Sequence, residues 1–329
     1  MSVDNPEVTL IVPARDSSAY LGKCIESVLK QKYTDWELII INDNSVDDTP
    51  SIAVSYAEGE PRIYAYDSPG SGVSSARNYG MRLARGRYIG FLDADDSVDP
   101  DYLSVLVGNA HEENADISQC SFCLLYRDGR RVENNESIQA VFDNHKDIMN
   151  AYFSGIIGSV NVACWGKIFK KESFKDILFD ERLLIEEDAY FTFQCCMRAS
   201  KIVCSNAPLY NYFQHPESVM NRTFDSINMQ YFTVFDRELV ECREDGDLCL
   251  RIKIRKLTTA LDLISKIVRD DSGTEYLREL RQIALNTEDE IKLGNRLRFK
   301  IGLKCFLIRH MPSVFYGILR VKGSLGRNV

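Results

Sequence analysis

The sequence predicts an α/β fold, in which a mostly parallel, Rossmann-like central sheet is flanked by helices. Short apolar runs typical of buried strands alternate with segments of helical spacing over the first 120 residues. Acidic residues directly follow several of these runs. Because the ends of parallel strands meet at one edge of a sheet, where open α/β sheets bind ligands, that edge is the expected functional site.

The apolar runs define four strands, and the segments between them carry helix signals. The strands are expected at 8–12, 36–41, 62–66 and 88–92. Apolar residues at helical spacing predict a helix over 20–30, and Pro50, after two aspartates, begins the next one. Ser74 or Ser75 is expected to cap a third helix that Gly86 ends, and a fourth is expected over 100–114.

Beyond residue 116 the pattern becomes less regular. We expect strands at 117–126, 164–170 and 209–214, helices at 146–153 and 187–199, and a charged helical region at 225–290. These elements divide the chain into an α/β domain over 1–220 and a C-terminal helical region over 221–329. The last part of the helical region, 291–329, is a basic tail.

The most informative residues are Asp93, Asp95 and Asp96, which follow the apolar run 88–92 almost at once. Clustered carboxylates repel one another unless a positive charge lies between them. A hard divalent cation such as Mg²⁺ or Mn²⁺ takes oxygen ligands and usually binds substrate phosphates as well. We therefore expect the three carboxylates to point at one metal site. A solvated acidic turn that caps the following helix is the alternative explanation.

Two further strands end in acids at the same edge of the predicted sheet. Asp16 follows the first run and Asp43 follows the second. A Gly-Ser-Gly turn at 70–72 then opens the helix that carries Arg77. A carboxylate can accept a hydrogen bond from the N3–H group of uracil, and an arginine can neutralise phosphate or lie against a base. Together these residues predict a pocket for a nucleotide diphosphate with a metal, although each acid alone is more often a helix cap.

Composition limits the class of protein. The chain has 329 residues, of which 45% are apolar and 27% charged, as is usual for a globular protein with a substantial core. The sequence contains no run of 18 apolar residues and no signal-peptide pattern at its start, so we expect a cytoplasmic location. The ten cysteines lack the paired spacing of a zinc site, so we expect reduced, buried thiols.

The basic tail suggests a partner. From residue 291 onward there are nine basic and no acidic residues, whereas the whole chain has a net charge of −8. The acidic body argues against nucleic acid, so the tail favours peripheral binding to an anionic membrane surface. Its candidates for insertion are Phe299, Ile301, Leu303, Phe306, Leu307, Phe315 and Leu319. A basic cap that packs on the acidic body is the alternative. The helical region 225–290 also offers a surface for a homo-oligomer.

Seven segments resemble glycosyltransferase family 2 in their order and approximate spacing. They are VTLIVPARD (8–16), YLGKCIESVLKQ (20–31), WELIIINDNSVD (36–47), GVSSARNYG (72–80), GFLDADD (90–96), WGKIF (165–169) and EEDAYF (186–191). The resemblance covers residues 7–220. It implies the GT-A fold, with a nucleotide-binding half at 1–115 and an acceptor-binding half at 116–220. It also implies inverting transfer from a nucleotide sugar, with a UDP-sugar favoured, to a glycan or lipid-linked acceptor in the synthesis of a bacterial surface polysaccharide.

The resemblance assigns the nucleotide to residues near the ends of the first strands. Asp43 is expected to accept from the uracil, and Arg77 is expected to lie near the base and the diphosphate. Pro13, Ala14 and Asp16 are expected to line the uridine pocket, with Asp16 near the ribose.

The resemblance assigns the chemistry to the acidic turn and to a second acidic segment. Asp95 would ligate Mn²⁺ or Mg²⁺ directly, and Asp93 would lie against the ribose or the water shell of the metal, with Ala94 beside it. Asp188 is the expected general base, and Glu187 is a neighbouring substrate-binding residue. Burial and adjacent acids should raise the pKa of Asp188. A charged helix N-terminus is the alternative for this segment.

Three further positions complete the expected site. The family often has glycine where this chain has Asn44, which leaves the shape of that loop open. Trp165 is a candidate platform for a sugar, since sugars stack on aromatic rings, and a core tryptophan is an equal alternative. His215 lies where the family often has diphosphate or metal contacts.

Three other classes of protein are alternatives. Gly70 and Gly72, followed by Asp93, imitate a dinucleotide-binding fingerprint, but the third glycine is replaced by serine. A nucleotidyltransferase also uses paired acids and a metal, but the basic glycine-rich N-terminal loop that it needs is absent from this sequence. Loss of Asp95 or Asp188 would favour a non-catalytic module that binds sugar nucleotides or acts as a scaffold, and both residues are present.

Overall fold

A computed structural model describes residues 5–134, 138–153, 162–214, 223–291 and 295–326. The chain divides into two compact units, Met1–Pro216 and Glu217–Val329. The first unit is built around one mixed sheet, and the second is helical.

The first half of the sheet is parallel, as predicted. Its strands are β1 (Val8–Ala14), β2 (Trp36–Asn42), β3 (Ile63–Asp67) and β4 (Tyr88–Phe91), in the spatial order β3-β2-β1-β4. Val8 of β1 lies opposite both Trp36 and Tyr88, so three strands start level with one another. Every residue of β1 is buried, which explains its continuous apolar run.

The second half of the sheet is mixed. Its strands are β5 (Ser97–Val98), β6 (Ile117–Tyr126), β7 (Arg131–Glu133), β8 (Ala140–Phe142), β9 (Lys167–Lys170) and β10 (Ile202–Gln214). Strand β9 joins the two halves, because it pairs antiparallel with both β4 and β6. Strand β10 is parallel to β6, and β5 pairs antiparallel with β10 at the edge. The α/β class with a mostly parallel sheet is thus confirmed, with antiparallel pairs gathered in the second half.

Helices cover both faces of this sheet. They are α1 (Leu21–Leu29), α2 (Thr49–Gly59), α3 (Val73–Leu83), α4 (Tyr102–Glu112), α5 (His145–Phe153), α6 (Lys171–Phe174) and α7 (Glu187–Arg198). Leu38 and Ile40 of β2 belong to the large core cluster that includes α1 and α4. Ile39 and Ile41 point to the other face and pack with Ala76 of α3. The alternation of side chains along β2 therefore places α3 on the opposite face from α1 and α4.

The second unit confirms the predicted C-terminal helical region. Its helices are α8 (Gln230–Glu241), α9 (Gly246–Asp270), α10 (Leu277–Glu290), α11 (Asn295–His310) and α12 (Pro312–Gly326). Asp245 caps α9, since its side chain accepts hydrogen bonds from the backbone N–H groups of Asp247 and Leu248, each at 3.0 Å. Helices α8, α10 and α12 all contact α9. Within the described ranges, no helix combines the length and the apolar character needed to cross a membrane.

Two helical glycines are expected to respond oppositely to alanine. A Cβ atom at Gly80 of α3 would lie 2.5 Å from Cγ2 of Ile11, whereas nothing lies within 4 Å of one at Gly108 of α4. We expect Gly80→Ala to lower the free energy of unfolding by about 1–2 kcal/mol through overpacking, despite its better helix propensity. Gly108→Ala is expected to raise it by about 0.5–1 kcal/mol. Urea unfolding of both variants measures the difference, and equal stabilisation by both would contradict the close packing of α3 on β1.

Candidate active site

The acidic turn after β4 divides its carboxylates between two roles. Asp96 is 2% exposed. Its Oδ2 accepts from the hydroxyl of Tyr210 at 2.6 Å and its Oδ1 from the backbone N–H of Phe213 at 2.8 Å. The expectation that all three carboxylates point at a metal is therefore wrong for Asp96, which holds the turn against β10. Burial, with repulsion from Asp93 and Asp95 added, raises the pKa of Asp96 well above its usual value.

Asp93 and Asp95 are the partly exposed members of this turn. Two carboxylates are suitable oxygen ligands for a hard divalent cation. In the part of the chain that the structure describes, no three acidic, histidine or cysteine side chains are grouped so as to hold a metal by themselves. The residues present therefore fit a cation that takes its remaining ligands from water and a substrate diphosphate, as Mg²⁺ commonly does.

Arg77 of α3 connects the acidic turn to the second acidic segment. The residue is 4% exposed. Its Nη2 donates to Oδ1 of Asp93 at 3.1 Å, and its Nη1 donates to Oε1 of Glu187 at 2.9 Å. The guanidinium carbon also lies 5.2 Å from the centre of the Phe179 ring. The turn after β4, the helix α3 and the start of α7 thus share one buried cation.

Asn78, a residue to which the sequence analysis assigned no role, reinforces this arrangement. Its Nδ2 donates to the carbonyl oxygen of Phe179 at 2.9 Å, and its Oδ1 accepts from the N–H of the same residue at 2.9 Å. Nδ2 also donates to Oε1 of Glu181 at 3.0 Å. The Arg77-Asn78 pair therefore holds both α7 and the segment before it.

Asp188 lies in the first turn of α7. The helix follows Glu186, whose φ of +60° is left-handed and uncommon for a residue with a side chain. One oxygen of Asp188 accepts from the N–H of Ala189 at 2.7 Å. Burial, with repulsion from Glu187 and Glu186, raises the pKa of Asp188 to about 7, although Arg77 acts in the opposite direction. A carboxyl with this pKa is suited to accept a proton near neutral pH.

Asp43 lies at the other side of the expected nucleotide pocket. It is 3% exposed, directly after β2. Both of its carboxylate oxygens accept from the N–H of Gly72, at 2.9 and 3.0 Å. A carboxylate has about four acceptor positions, so this contact leaves capacity for a further donor. Gly72, with φ of +97°, opens α3 and so links the end of β2 to the helix of Arg77.

The loops after β1 and β2 are fixed to each other. Asn44 has a φ of +55°, a conformation that asparagine tolerates better than most residues, and its Nδ2 donates to the carbonyl oxygen of Gly70 at 2.9 Å. Asp16, with φ of +46°, accepts from the N–H of Val46 at 2.8 Å. Asn44 therefore provides the left-handed turn for which glycine is the usual residue. Pro13 and Ala14 are buried where β1 ends, beside this loop.

Trp165 belongs to an aromatic group on the second half of the sheet. It stacks on Tyr210 and Tyr212 with ring centres 4.5 and 5.5 Å apart, and it meets Phe122 edge-on at 5.3 Å. The tryptophan is partly exposed, and it bridges to Phe91 of β4. Its role as a sugar platform stays a prediction. Ala94 is buried in the acidic turn, and His215 lies outside the described residues.

The fold and the arrangement of acids define a class of protein. A parallel nucleotide-binding half, an acidic turn after its fourth strand and an aspartate on a helix of the mixed half together characterise a glycosyltransferase of the GT-A type. The sequence model for glycosyl transferase family 2 matches residues 9–178, which is half of the chain. The chain belongs to this family.

Similar proteins agree with this assignment. The putative glycosyltransferase EpsH of Bacillus subtilis is 29% identical over 67% of this chain and 64% of its own length. The minor teichoic acid biosynthesis protein GgaB of Bacillus subtilis is 33% identical over 95% of this chain and 35% of its own length. The chain thus spans less than two thirds of each of these two relatives.

A solved structure shows the same fold. The crystal structure of S. aureus TarS 1-349 in complex with UDP-GlcNAc has a TM-score of 0.71. The match covers 97% of this chain and 92% of that one, at 17% sequence identity. At this identity the likeness describes the fold and leaves the substrate of this chain to be argued from its own residues.

Two buried tyrosines test the role of Asp96. The hydroxyl of Tyr210 donates to Asp96, whereas the equally buried hydroxyl of Tyr102 has no hydrogen-bond partner in the described structure. We expect Tyr210→Phe to lower the free energy of unfolding by about 1–3 kcal/mol, because it leaves a buried carboxylate oxygen unsatisfied. Tyr102→Phe removes an unpaired polar group and is expected to be neutral or slightly stabilising. Denaturant unfolding compares the two, and an equal loss in both would show that the Asp96 contact contributes nothing.

Proposed function

We propose that this glycosyltransferase moves a sugar from a UDP-sugar to an acceptor hydroxyl with inversion at the anomeric carbon. The observation that carries the proposal is the raised pKa of Asp188, whose neighbour Glu187 is tied through Arg77 to Asp93 on the acidic turn. A carboxyl that accepts protons near neutral pH and a turn that suits a diphosphate are thereby connected. Inverting transfer needs these two functions on opposite sides of the sugar.

The uridine is proposed to lie beside the loops that follow β1 and β2. Asp43 is fixed by Gly72 and has remaining acceptor capacity toward the N3–H of a uracil. Asp16, on the adjoining loop, is proposed for the ribose, with Pro13 and Ala14 lining the pocket. Because both terminal nitrogens of Arg77 already bind carboxylates, we assign Arg77 the role of holding Asp93 in place.

The diphosphate is proposed to lie at the partly exposed end of the acidic turn. When bound, a divalent cation on Asp95 would offset the negative charge of the departing diphosphate. Asp93 is kept beside this position by Arg77, and the turn itself is kept in place by Asp96. Ala94 lies between them and is buried.

Asp188 is proposed to act as the general base. The acceptor oxygen forms its bond to the anomeric carbon while the bond from that carbon to the diphosphate oxygen breaks on the opposite face. The proton of the acceptor hydroxyl passes to Asp188 in the same displacement. Glu187 forms the ion pair with Arg77, and Asp188, whose pKa is raised, is left to accept the proton.

Donor hydrolysis, in which water replaces the acceptor, tests the donor and the metal without a known acceptor. We expect UDP release from one member of a UDP-sugar panel with Mn²⁺ or Mg²⁺, and its loss with EDTA. Asp95→Ala and Asp188→Asn should each reduce the rate by roughly 100-fold or more. The control Asp262→Ala removes an exposed aspartate of the second unit and should retain the wild-type rate. Unchanged release in Asp188→Asn would exclude this residue as the base.

The pH dependence of the same reaction tests the protonation state of Asp188. The residue works as a base only when ionised, and its pKa is about 7. The rate is therefore expected to be level above pH 7 and to fall by about tenfold per pH unit well below it. UDP binding by calorimetry over the same pH range separates this loss from loss of the donor. A wild-type rate that stays level down to pH 5 would contradict the assignment.

The acceptor is proposed to be a glycan or lipid-linked polymer of a bacterial surface polysaccharide, bound by the half at 116–220. The names of the relatives support this, since GgaB is a teichoic acid biosynthesis protein. Trp165 lies in this half with its ring partly exposed, so it remains the proposed platform for a sugar. TarS was crystallised with UDP-GlcNAc, which supports a UDP-sugar as the donor.

A peripheral position at an anionic membrane is proposed for the second unit, with a set of residues that differs in part from the one the sequence suggested. Ile301 and Phe315 are buried at 9% and 4% exposure, so they are not available for insertion. The guanidinium of Arg309 pairs with Glu288 and Asp289, which satisfies part of the basic charge within the unit. Among the described side chains of residues 301–319, the exposed large apolar ones are Leu303, Phe306, Met311, Val314 and Ile318.

Flotation with anionic vesicles tests this surface. We expect the intact chain to float at low salt and to float less at high salt, since basic residues contribute to binding. The double variant Phe306→Glu/Val314→Glu should weaken flotation by roughly tenfold or more because it places charge on the apolar surface. The control Leu250→Glu changes an exposed leucine of α9 and should float like the wild type. If the intact chain stays at the bottom of the gradient at low salt, the membrane proposal is wrong.

A further inference from the structure

A cavity of about 110 Å³ lies in the first unit, apart from the proposed donor site. It is enclosed by α3, β4, β9, α6, α7 and the segment after α6. Its apolar walls are Met81, Ile89, Phe91, Phe169, Phe174 and Phe191. None of the residues proposed to bind the nucleotide or the metal lines it.

The walls of this cavity are fixed aromatic rings. Phe91 meets Phe191 edge-to-face with ring centres 5.7 Å apart, and Phe169 meets Phe174 in the same way at 6.1 Å. Leu178 also lines the cavity and is 47% exposed, so this side chain marks the opening to solvent. An apolar cavity of roughly 150 Å³ holds a benzene molecule. The present cavity is somewhat smaller, so it limits the buried apolar group of a ligand to about one ring, and the rest of the ligand extends through the opening.

Basic side chains complete the lining. Arg82, Lys171 and Lys175 contribute to it, and Lys175 is paired with Glu172 at 2.5 Å. Among the residues that the structure describes, Arg82 and Lys171 form no ion pair. The guanidinium carbon of Arg82 lies 5.5 Å from the ring centre of Tyr79, and Nζ of Lys171 donates to the carbonyl oxygen of Ala84 at 2.5 Å. Two cations without a carboxylate partner therefore border an apolar, aromatic cavity.

We propose that this cavity binds a small aromatic carboxylate, whose ring fills the apolar space and whose carboxylate meets Arg82 and Lys171. The size of the cavity limits the apolar group to about one ring, and the two cations at its border, which form no ion pair within the described residues, favour an anion. The site is separate from that of the nucleotide sugar. Its wall includes Phe191 of α7, the helix that also carries Asp188, so an occupant would contact the helix of the proposed base.

Calorimetry on the full chain with three probes tests both features of the proposed ligand. The probe 3-phenylpropionate has the ring and the charge, 3-phenylpropanol has the ring alone, and acetate has the charge alone. We expect the first to bind with a Kd of roughly 1–10 mM and each of the others to bind roughly tenfold or more weakly. Binding of the alcohol as tight as that of the carboxylate would overturn the role of the basic residues.

Two variants at exposed positions locate the site without disturbing the core. Leu178→Trp is expected to block the opening, and Arg82→Glu is expected to reverse the charge, each weakening 3-phenylpropionate by roughly tenfold or more. The matched controls Val240→Trp and Arg243→Glu change exposed residues of the second unit and should leave binding unchanged.

Three further results would overturn the proposal. The first is an absence of 3-phenylpropionate binding to the wild type at 50 mM, roughly five times the weakest expected Kd. The second is unchanged binding in both Leu178→Trp and Arg82→Glu. The third is displacement of the probe by saturating UDP, which would place it in the nucleotide pocket. Because none of these depends on turnover, the outcome is independent of whether the proposed transfer reaction is correct.

Discussion

The buried cation of Arg77 is the constraint on which the geometry of the site depends. A charge that is 4% exposed requires partners, since an unpaired buried charge is costly. Asp93 and Glu187 are those partners, and they lie 16 and 110 residues from Arg77 in the sequence. The turn after β4 and the start of α7 must therefore meet at α3. The bridge contributes more to geometry than to stability, because desolvation offsets much of the attraction between buried charges.

The same bridge distinguishes Asp188, the proposed base, from the adjacent acid Glu187. Arg77 donates to Glu187 and leaves Asp188 without that direct contact. An arginine bonded to Asp188 would stabilise its ionised form and make it a weaker proton acceptor. With Glu187 in that position, burial and repulsion between neighbouring acids determine the pKa of Asp188, which is about 7. Of these two consecutive carboxylates, Glu187 forms the ion pair with Arg77, and Asp188 has the raised pKa.

The sequence could predict the parallel half of the sheet and the place of the site for a physical reason. Strands buried on both faces leave continuous apolar runs, and the acids at their ends mark the edge where ligands bind.

Asp96 shows the limit of this reasoning. Its partners Tyr210 and Phe213 are 114 and 117 residues away, and no local pattern announces a contact at that separation. The antiparallel direction of β9 was equally unpredictable, because a buried run of four residues carries no signal for the direction of the strand.

The ion pairs of the basic tail and the role of Asn78 could not be predicted from the sequence for a similar reason. Counting charges identifies a basic segment, but which acids it meets depends on how α11 packs, as the pairing of Arg309 with Glu288 and Asp289 shows. Asn78 appears in the sequence as a polar residue beside Arg77. Its three hydrogen bonds to Phe179 and Glu181 follow only from the position of a segment about 100 residues further on.

An apolar layer beneath the ion bridge connects packing to chemistry. Phe179 stacks on Phe191 with ring centres 4.1 Å apart, and Phe91 meets Phe179 edge-on at 5.2 Å. Burial is the largest cause of the raised pKa of Asp188, and Phe191 of this layer lies three residues after Asp188 in α7. The left-handed conformation of Glu186 is strained for a residue with a side chain, at a cost of about 1–3 kcal/mol, and it persists where surrounding packing fixes it. Glu186 directly precedes Glu187, which binds Arg77, so the strained residue lies beside the ion bridge and next to the proposed base.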